Sequence, residues 1–186
     1  ALQRIEDLAD EIEAGNIEPV LAFGGDIGRT RNASEFFLVG LNSLGSFPLR
    51  LMITLNNCSF ASQEAVLRKV FNVLPVCGGF IDRNGLGMQL AENMGREFPY
   101  KVMEAQFTNE TKKLWATDAK MLFQKRKVPI PVDRDLAYQI HSIKKIVSPS
   151  KNLIFDTDRN EKRRIISARR ASRDERERYR ARAETA

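Results

Sequence analysis

Apolar residues recur with a helical spacing at the start of the chain and with a strand spacing soon afterwards. Residues 2–14 carry one apolar stripe followed by Gly15, which predicts an amphipathic helix that ends at this glycine. The stripe consists of Leu2, Ile5, Leu8 and Ile12. Three short β-like runs follow at 20–25, 35–41 and 49–55, and turn-forming residues separate them.

The gaps between these runs predict how the strands pair. The first gap, 26–34, has 9 residues and the second is shorter, whereas a parallel crossover needs about a dozen or more connecting residues. We therefore expect three consecutive antiparallel strands, which argues against a Rossmann sheet. No GxxxxGK[ST] motif occurs, so the sequence also gives no sign of ATP hydrolysis.

Beyond residue 58 the pattern changes to strand–helix alternation. Ser59 or Ser62 can cap a helix, residues 76–81 and 100–105 predict strands, and a helix with apolar residues every fourth position lies between them. Thr108 or Asn109 can cap a third helix, Asp133 a fourth that extends to Val147, and 151–155 predicts a last strand. The third helix has the apolar face Leu114, Trp115, Ala119, Leu122 and Phe123, and the fourth has Leu136, Ile140, Ile143 and Val147.

Composition and charge narrow the function classes. The 186 residues are 42% hydrophobic and 29% charged, which fits a folded domain with a sizeable core. The net charge of +6 lies entirely in residues 159–186, which hold 11 basic and 5 acidic side chains. A globally basic, nucleic-acid-coating surface is therefore excluded, but a local basic arm is not. Cys58 and Cys77 have no metal or redox spacing, so we expect a reduced, cytoplasmic protein without disulfides.

Two aspartates stand at the ends of predicted strands and are the candidate chemistry of the sequence. Asp26 ends the first strand and Asp82 the fourth, and each precedes a turn containing glycine. If the two strands are neighbours, the carboxylates converge and can bind Mg²⁺ or Mn²⁺. The alternative is that each aspartate only caps its turn or the following helix. His141, the one histidine, predicts a packed or surface residue and not a catalyst.

Several separated segments of the chain together match the motifs of a known family. These segments are Phe23–Asn32, Ile81–Glu92, Phe107 and Thr108 with Lys112, Val128–Pro131, and His141–Lys145. In this order they resemble the nuclease domain of phage terminase large subunits, most closely the Mu-like group of these DNA-packaging proteins. The resemblance spans Val20 to Asn160.

The resemblance implies an RNase H-like α/β fold, with helices on both faces of a mixed sheet in which strand–helix alternation follows three antiparallel strands. It implies a metal-dependent endonuclease that cuts concatemeric double-stranded DNA with two Mg²⁺ or Mn²⁺ ions in the host cytoplasm. The partners it implies are the terminase ATPase domain, the small terminase subunit and the portal, with no membrane.

The resemblance also assigns residues. It makes Asp26 the acid that bridges both ions and Asp82 the ligand of one. Arg29 and Arg31, in the turn beside Asp26, are then candidates for binding the phosphodiester, with a solvated basic turn as the alternative reading. Lys144 and Lys145 in the last matched segment are further candidate DNA contacts.

One departure from the family's pattern leaves a second function open. The family's third acid lies on a helix after the last strand, but residues 163–170 here contain no acid. Asp156, Asp158 or Glu161 could supply a substitute metal ligand. The alternative is a catalytically impaired RNase H-like module that binds DNA or the portal.

The same reading divides the chain into three parts. Residues 1–18 form a helix at the junction with an ATPase domain, residues 19–158 form the nuclease domain, and residues 159–186 form a basic tail that is helical or frayed.

Overall fold

The computed structural model describes residues 2–28, 33–83, 87–147 and 153–157, with only the backbone for 153, 156 and 157. The chain divides into two compact units between Pro131 and Val132, and each is described by itself. The helices of the first unit are α1 (Leu2–Glu13), α2 (Phe60–Val73), α3 (Met88–Glu97) and α4 (Asn109–Gln124). Its strands are β1 (Leu21–Asp26), β2 (Ser34–Gly40), β3 (Leu49–Leu55), β4 (Val76–Asp82) and β5 (Val102–Ala105).

The five strands form one mixed sheet in the order β3-β2-β1-β4-β5. β1 pairs with β2 and β2 with β3 in antiparallel fashion, whereas β4 lies parallel to β1 and to β5. The short connections predicted the antiparallel part, and the helical crossovers α2 and α3 allow the parallel part. The predicted order of strands and helices in this unit is therefore confirmed.

One face of the sheet carries the hydrophobic core. Alternate residues of each strand point to this face, where α1, α2 and α3 cover them. The fully buried side chains there include Ile5, Leu21, Phe36, Leu38, Leu67, Ile81, Leu90 and Met94. Two sequence predictions hold at the helix ends. Ser59 caps α2 by accepting a hydrogen bond from the N–H of Ser62, and Gly15 follows α1 with a φ of 72°.

The opposite face is covered much less. α4 lies over it at Trp115, whose ring is 5.8 Å from that of Phe80 on β4 and 5.1 Å from that of Phe107. Thr108 caps α4, as predicted. However, α4 has no buried residue, and Leu114 on its predicted apolar face is 57% exposed. Trp115, Leu122 and Phe123 of the predicted apolar face are half-buried.

The second unit begins with α5 (Arg134–Ser142), which Asp133 caps through the N–H of Leu136 at 2.9 Å. The predicted continuation of this helix to Val147 is wrong, because the helix ends at Ser142 and the next residues form the strand β6 (Ile143–Val147). β6 pairs with β7 (Leu153–Thr157) in a two-stranded antiparallel sheet. The apolar spacing of Ile140, Ile143 and Val147 suits a helix, but pairing with β7 supplies backbone hydrogen bonds that the spacing does not reveal.

No helix among the described residues is both long enough and apolar enough to cross a membrane.

Candidate metal centre

Asp26 and Asp82 are the last residues of two neighbouring parallel strands. In the β1–β4 register Gly24 lies beside Phe80 and Gly25 beside Ile81, so Asp26 lies beside Asp82 when the register is continued by one residue. Neighbouring strands are about 4.8 Å apart, and residues side by side point to the same face. Ile81 points into the core, so both aspartates point to the opposite, more open face.

The two carboxylates lie at the polar end of an otherwise apolar cavity. The cavity has a volume of about 430 Å³ and is open to solvent. Its floor is formed by β1 and β4, where Gly24 leaves open space above the sheet because no atom lies within 4 Å of the position of a Cβ. The lining residues are Phe23, Gly24, Gly25, Asp26, Phe37, Phe80, Asp82, Ala105, Phe107 and Trp115. The cavity is within the range of small-ligand sites, about 300–1,000 Å³.

The electrostatics of the pair favour a bound cation. Desolvation by the surrounding protein atoms raises the pKa of the Asp26 carboxyl, and the charge on Asp82 raises this pKa further. A hydrogen bond from the backbone N–H of Ile27 partly opposes both effects and lowers the pKa. A divalent cation between the two carboxylates would replace the lost hydration and cancel the repulsion.

Gly87 brings the start of α3 close to the two strand ends. A Cβ at this position would lie 2.5 Å from the carbonyl oxygen of Asp82 and 3.0 Å from the Cβ of Ile27. Gly87 occupies the N-cap position of α3 and, as a glycine, has no side chain for a cap hydrogen bond. The alternative reading of Asp82 as a cap of its turn or of the following helix stays a prediction.

Glu35 is an acid near Asp26 that the sequence prediction did not include. It lies directly opposite Asp26 in the β1–β2 register and therefore points to the same face of the sheet. Its Oε2 accepts a hydrogen bond of 2.7 Å from the hydroxyl of Thr54. The signal was present in the sequence, since Glu35 alternates with the apolar residues that β2 sends into the core.

The donor set at this edge of the sheet fits a hard divalent cation. Two carboxylates on one face are oxygen ligands of the kind that Mg²⁺ and Mn²⁺ prefer, with water in the remaining positions. Within residues 2–28, 33–83, 87–147 and 153–157, however, no group of three or more His, Cys, Asp or Glu side chains could hold a metal ion. Among the described side chains, the predicted pair is thus present without a third acidic ligand.

The other predicted site residues are distributed as follows. Arg29, Arg31 and Asp158 lie outside the described residues. Of Asp156 only the backbone is described, and it pairs with Lys144 across the β6–β7 hairpin. Lys144 and Lys145 are exposed on β6, and His141 is exposed on α5, as expected of a surface residue.

Comparison with solved structures identifies the fold. The nuclease of the large terminase from thermophilic phage G20c with bound magnesium superimposes with a TM-score of 0.63 at 17% identity, covering 75% of this chain and 72% of that chain. The large terminase nuclease domain of Thermus phage P74-26 gives a TM-score of 0.59 at 16% identity, with 74% and 70% covered. The nuclease domain of the large terminase subunit of bacterial virus Sf6, with manganese and β-thujaplicinol, gives 0.53 at 10% identity, with 84% and 86% covered.

No protein-family model matches the sequence, and no curated protein matches it either.

These similarities show the fold of the chain. It is an RNase H-like α/β fold built on a mixed five-stranded sheet, as the sequence predicted. More specifically, it is the fold of the nuclease domain of phage large terminases. The resemblance to the Mu-like group stays a prediction.

Proposed function

We propose that this chain is a metal-dependent endodeoxyribonuclease domain that cuts concatemeric double-stranded DNA during phage genome packaging. The observation that carries the proposal is the pair Asp26 and Asp82, side by side at the ends of parallel strands in a terminase-nuclease fold. The metal-bound structures with this fold, one with magnesium and one with manganese, support Mg²⁺ or Mn²⁺ as the cofactor.

Asp26 and Asp82 would hold the metal. In a two-ion arrangement Asp26 would help to hold both ions and Asp82 would hold one. Divalent cations held there would supply activation of the attacking water and stabilisation of the departing 3′ oxygen of the phosphodiester. The second ion needs a further ligand, for which Asp156 and Asp158 are our candidates.

The protein itself orients the two carboxylates and limits the water around them. The pairing of β1 with β4 holds Asp26 beside Asp82 at the strand end. The aromatic side chains of the cavity lower the amount of water around the two carboxylates, which strengthens their interaction with a cation and with the phosphate it binds. Both effects are present before the substrate binds, so the protein does not have to reorganise the site during the reaction.

Basic residues would bind the DNA backbone. We assign Arg29 and Arg31 to the phosphates on either side of the cut, since they follow Asp26 closely in the sequence. Lys144 and Lys145 on β6 and the basic residues of the tail 159–186 would add contacts that do not depend on sequence.

The proposal extends to the packaging machinery. A terminase nuclease works beside an ATPase domain, with the small terminase subunit and the portal as further partners. In this reading residues 1–18 form the junction with the ATPase domain, 19–158 form the nuclease and 159–186 form a basic tail.

The test is cleavage of supercoiled plasmid DNA with Mn²⁺ or Mg²⁺. The wild-type protein should nick and linearise the plasmid, chelation of the metal should stop cleavage, and Asp26→Asn or Asp82→Asn should abolish it. The exposed Asp118 on α4 offers a matched control, and Asp118→Asn should cut at the wild-type rate. Unchanged cleavage by Asp26→Asn would remove this residue from the mechanism.

A second candidate function is a catalytically impaired module that binds DNA or the portal. It is favoured by the absence of a third acidic ligand among the described side chains. Folded protein that retains DNA at low salt but leaves the plasmid intact with either metal would support this function over the first.

A further inference from the structure

A closed network of buried hydrogen bonds lies on the core side of the sheet, beneath the end of β1. Its members are Ser34 at the start of β2, Gln63 on α2, and the backbone of Gly28. Ser34 is 0% and Gln63 is 1% exposed. Neither residue was expected from the sequence to take part in the site.

Each donor in this network has a hydrogen-bond acceptor. The N–H of Gly28 donates to Ser34 Oγ at 2.8 Å, and the Ser34 hydroxyl donates to Gln63 Oε1 at 2.7 Å. Gln63 Nε2 completes the ring by donating to the carbonyl of Gly28 at 3.1 Å, and its second proton goes to the carbonyl of Cys58 at 3.2 Å. Ser34 Oγ also lies 2.9 Å from the Gly28 carbonyl oxygen, so this carbonyl and Gln63 Oε1 share the single hydroxyl proton of Ser34.

The orientation of the Gln63 amide is fixed by its neighbours. Turning the amide around would direct Oε1 at the carbonyl oxygens of Gly28 and Cys58, where two acceptors would face one another without a proton between them. Both polar groups of the Gly28 backbone are therefore held, one by β2 and the other by α2. As a result, the chain leaves β1 along one defined path.

This path leads directly to the candidate metal ligand. Gly28 lies two residues after Asp26, and its N–H is the group that Ser34 holds. Ser34 also precedes Glu35, which lies opposite Asp26 in the strand register. The buried ring thus anchors the chain two residues after Asp26 and beside the strand partner of Asp26, although it lies on the other face of the sheet.

We propose that Ser34 and Gln63 are positioning residues for Asp26, and that the affinity of the site for divalent metal depends on their hydrogen-bonded ring with Gly28. This inference rests on the proposed function, which supplies the metal ion. It adds two residues, Ser34 and Gln63, that do not contact the metal. Loss of a hydrogen-bonding partner behind a metal ligand typically lowers metal affinity by about 10- to 100-fold.

The experiment compares Mn²⁺ affinity, measured by calorimetry, in wild-type protein and three variants. Ser34→Ala and Gln63→Met each open the ring, and either one suffices if the other does not fold. Val70→Ala is the matched control, since Val70 is fully buried on the same helix as Gln63 but belongs to the hydrophobic core. We expect the dissociation constant of Mn²⁺ to rise about 10- to 100-fold in the ring variants and to stay unchanged in Val70→Ala.

A second measurement needs no metal and separates this inference from the proposed function. Hydrogen exchange of the Gly28 amide should be faster in either ring variant than in Val70→Ala, because only the ring variants release the Gly28 backbone. If the wild-type protein does not bind Mn²⁺, the proposed function fails. The hydrogen-exchange rates then test by themselves whether the ring fixes the backbone next to Asp26. A ring variant that keeps wild-type Mn²⁺ affinity, or one whose Gly28 amide exchanges no faster than in Val70→Ala, would overturn the inference.

Discussion

Asp26 and Asp82 line one cavity at the ends of neighbouring parallel strands, and the charge on Asp82 raises the pKa of Asp26. Desolvation, the larger effect, raises this pKa in the same direction. In the metal-free protein the ionised Asp26 carboxylate therefore destabilises the fold at the place where a cation would stabilise it. The arrangement of the two carboxylates suits ion binding better than it suits stability.

The metal-free protein should become more stable when Asp26 loses its charge. The pKa of Asp26 is raised in the folded state above its ordinary value of 3.8, so the folded protein holds this proton more tightly than the unfolded chain does. Stability is then lost as pH rises through the interval between the two pKa values, and at neutral pH the full cost is present. Asp26→Asn, which keeps a side-chain oxygen for the Ile27 N–H, should melt at a higher temperature than wild type at neutral pH.

The comparison requires thermal melts with a chelator at several pH values. The advantage of Asp26→Asn over wild type should disappear in acid, where wild-type Asp26 is protonated, and Asp118→Asn should show no such pattern. Added Mn²⁺ should reverse the order by stabilising the wild type alone. Equal melting curves for wild type and Asp26→Asn at neutral pH would contradict the predicted electrostatics.

Replacing Gly87 should impair the site more than the fold. A Cβ at Gly87 would press on the carbonyl of Asp82 and on Ile27, so Gly87→Ala should displace the strand ends that carry the two carboxylates. We expect metal affinity and cleavage to fall by about tenfold or more. Gly95→Ala on the same helix is the control, since its Cβ would meet nothing closer than 3.5 Å. Calorimetry with Mn²⁺ on both variants checks the prediction, and equal affinities would contradict it.

The parallel pairing of β1 and β4 should depend on Gly79. A Cβ there would lie 2.7 Å from the Cβ of Phe23 and closer still to the Phe23 backbone, which cannot move without breaking the sheet. Gly79→Ala should therefore lower the free energy of unfolding by about 1–3 kcal/mol. Its neighbour Gly78 provides the matched variant, since a Cβ at Gly78 would come no closer than 3.5 Å to the Tyr100 carbonyl oxygen. In urea denaturation, Gly79→Ala should unfold at a clearly lower urea concentration than Gly78→Ala. Overlapping unfolding curves would argue against the close packing of Gly79 on Phe23.

The ion pair of Glu18 and Arg50 should give the protein an acid-sensitive component of stability. Arg50 donates to both carboxylate oxygens of Glu18, at 2.7 and 2.9 Å, and these bonds lower the pKa of Glu18 below its ordinary value of 4.5. A lowered folded-state pKa means stability that is present above the ordinary value and lost as pH falls through the folded value. Glu18→Gln should cost roughly 1 kcal/mol at neutral pH and nothing in strong acid. Denaturant unfolding at both pH values measures this difference, for which the exposed Glu13 provides the control variant Glu13→Gln.

Much of the fold could be predicted because chain connections constrain strand pairing. The short gaps before Ser34 and Leu49 left room only for antiparallel neighbours, and helices long enough for parallel crossovers followed. The prediction failed at Ile143–Val147, where the apolar spacing fits a helix as well as a strand. Only pairing with β7 decides between the two, and that contact is not local in the sequence.

The candidate site could be predicted in part for the same reason. Asp26 and Asp82 follow apolar strand residues, so their positions could be inferred from the strands themselves. Ser34 and Gln63 occupy core positions in the periods of β2 and α2, and a polar residue at such a position is the sequence signal of a buried hydrogen bond. The signal does not name the partner, since Gly28 contributes only its backbone.

Diffraction from crystals soaked in Mn²⁺, recorded with its anomalous signal, tests the central claim most directly. We predict a manganese peak that both carboxylates contact at coordination distance, about 2.0–2.2 Å for an ion of this kind. Asp26→Asn crystals treated in the same way should lose the peak. Manganese bound elsewhere, or bound by only one of the two aspartates, would contradict the proposal that the ends of β1 and β4 form a shared metal centre.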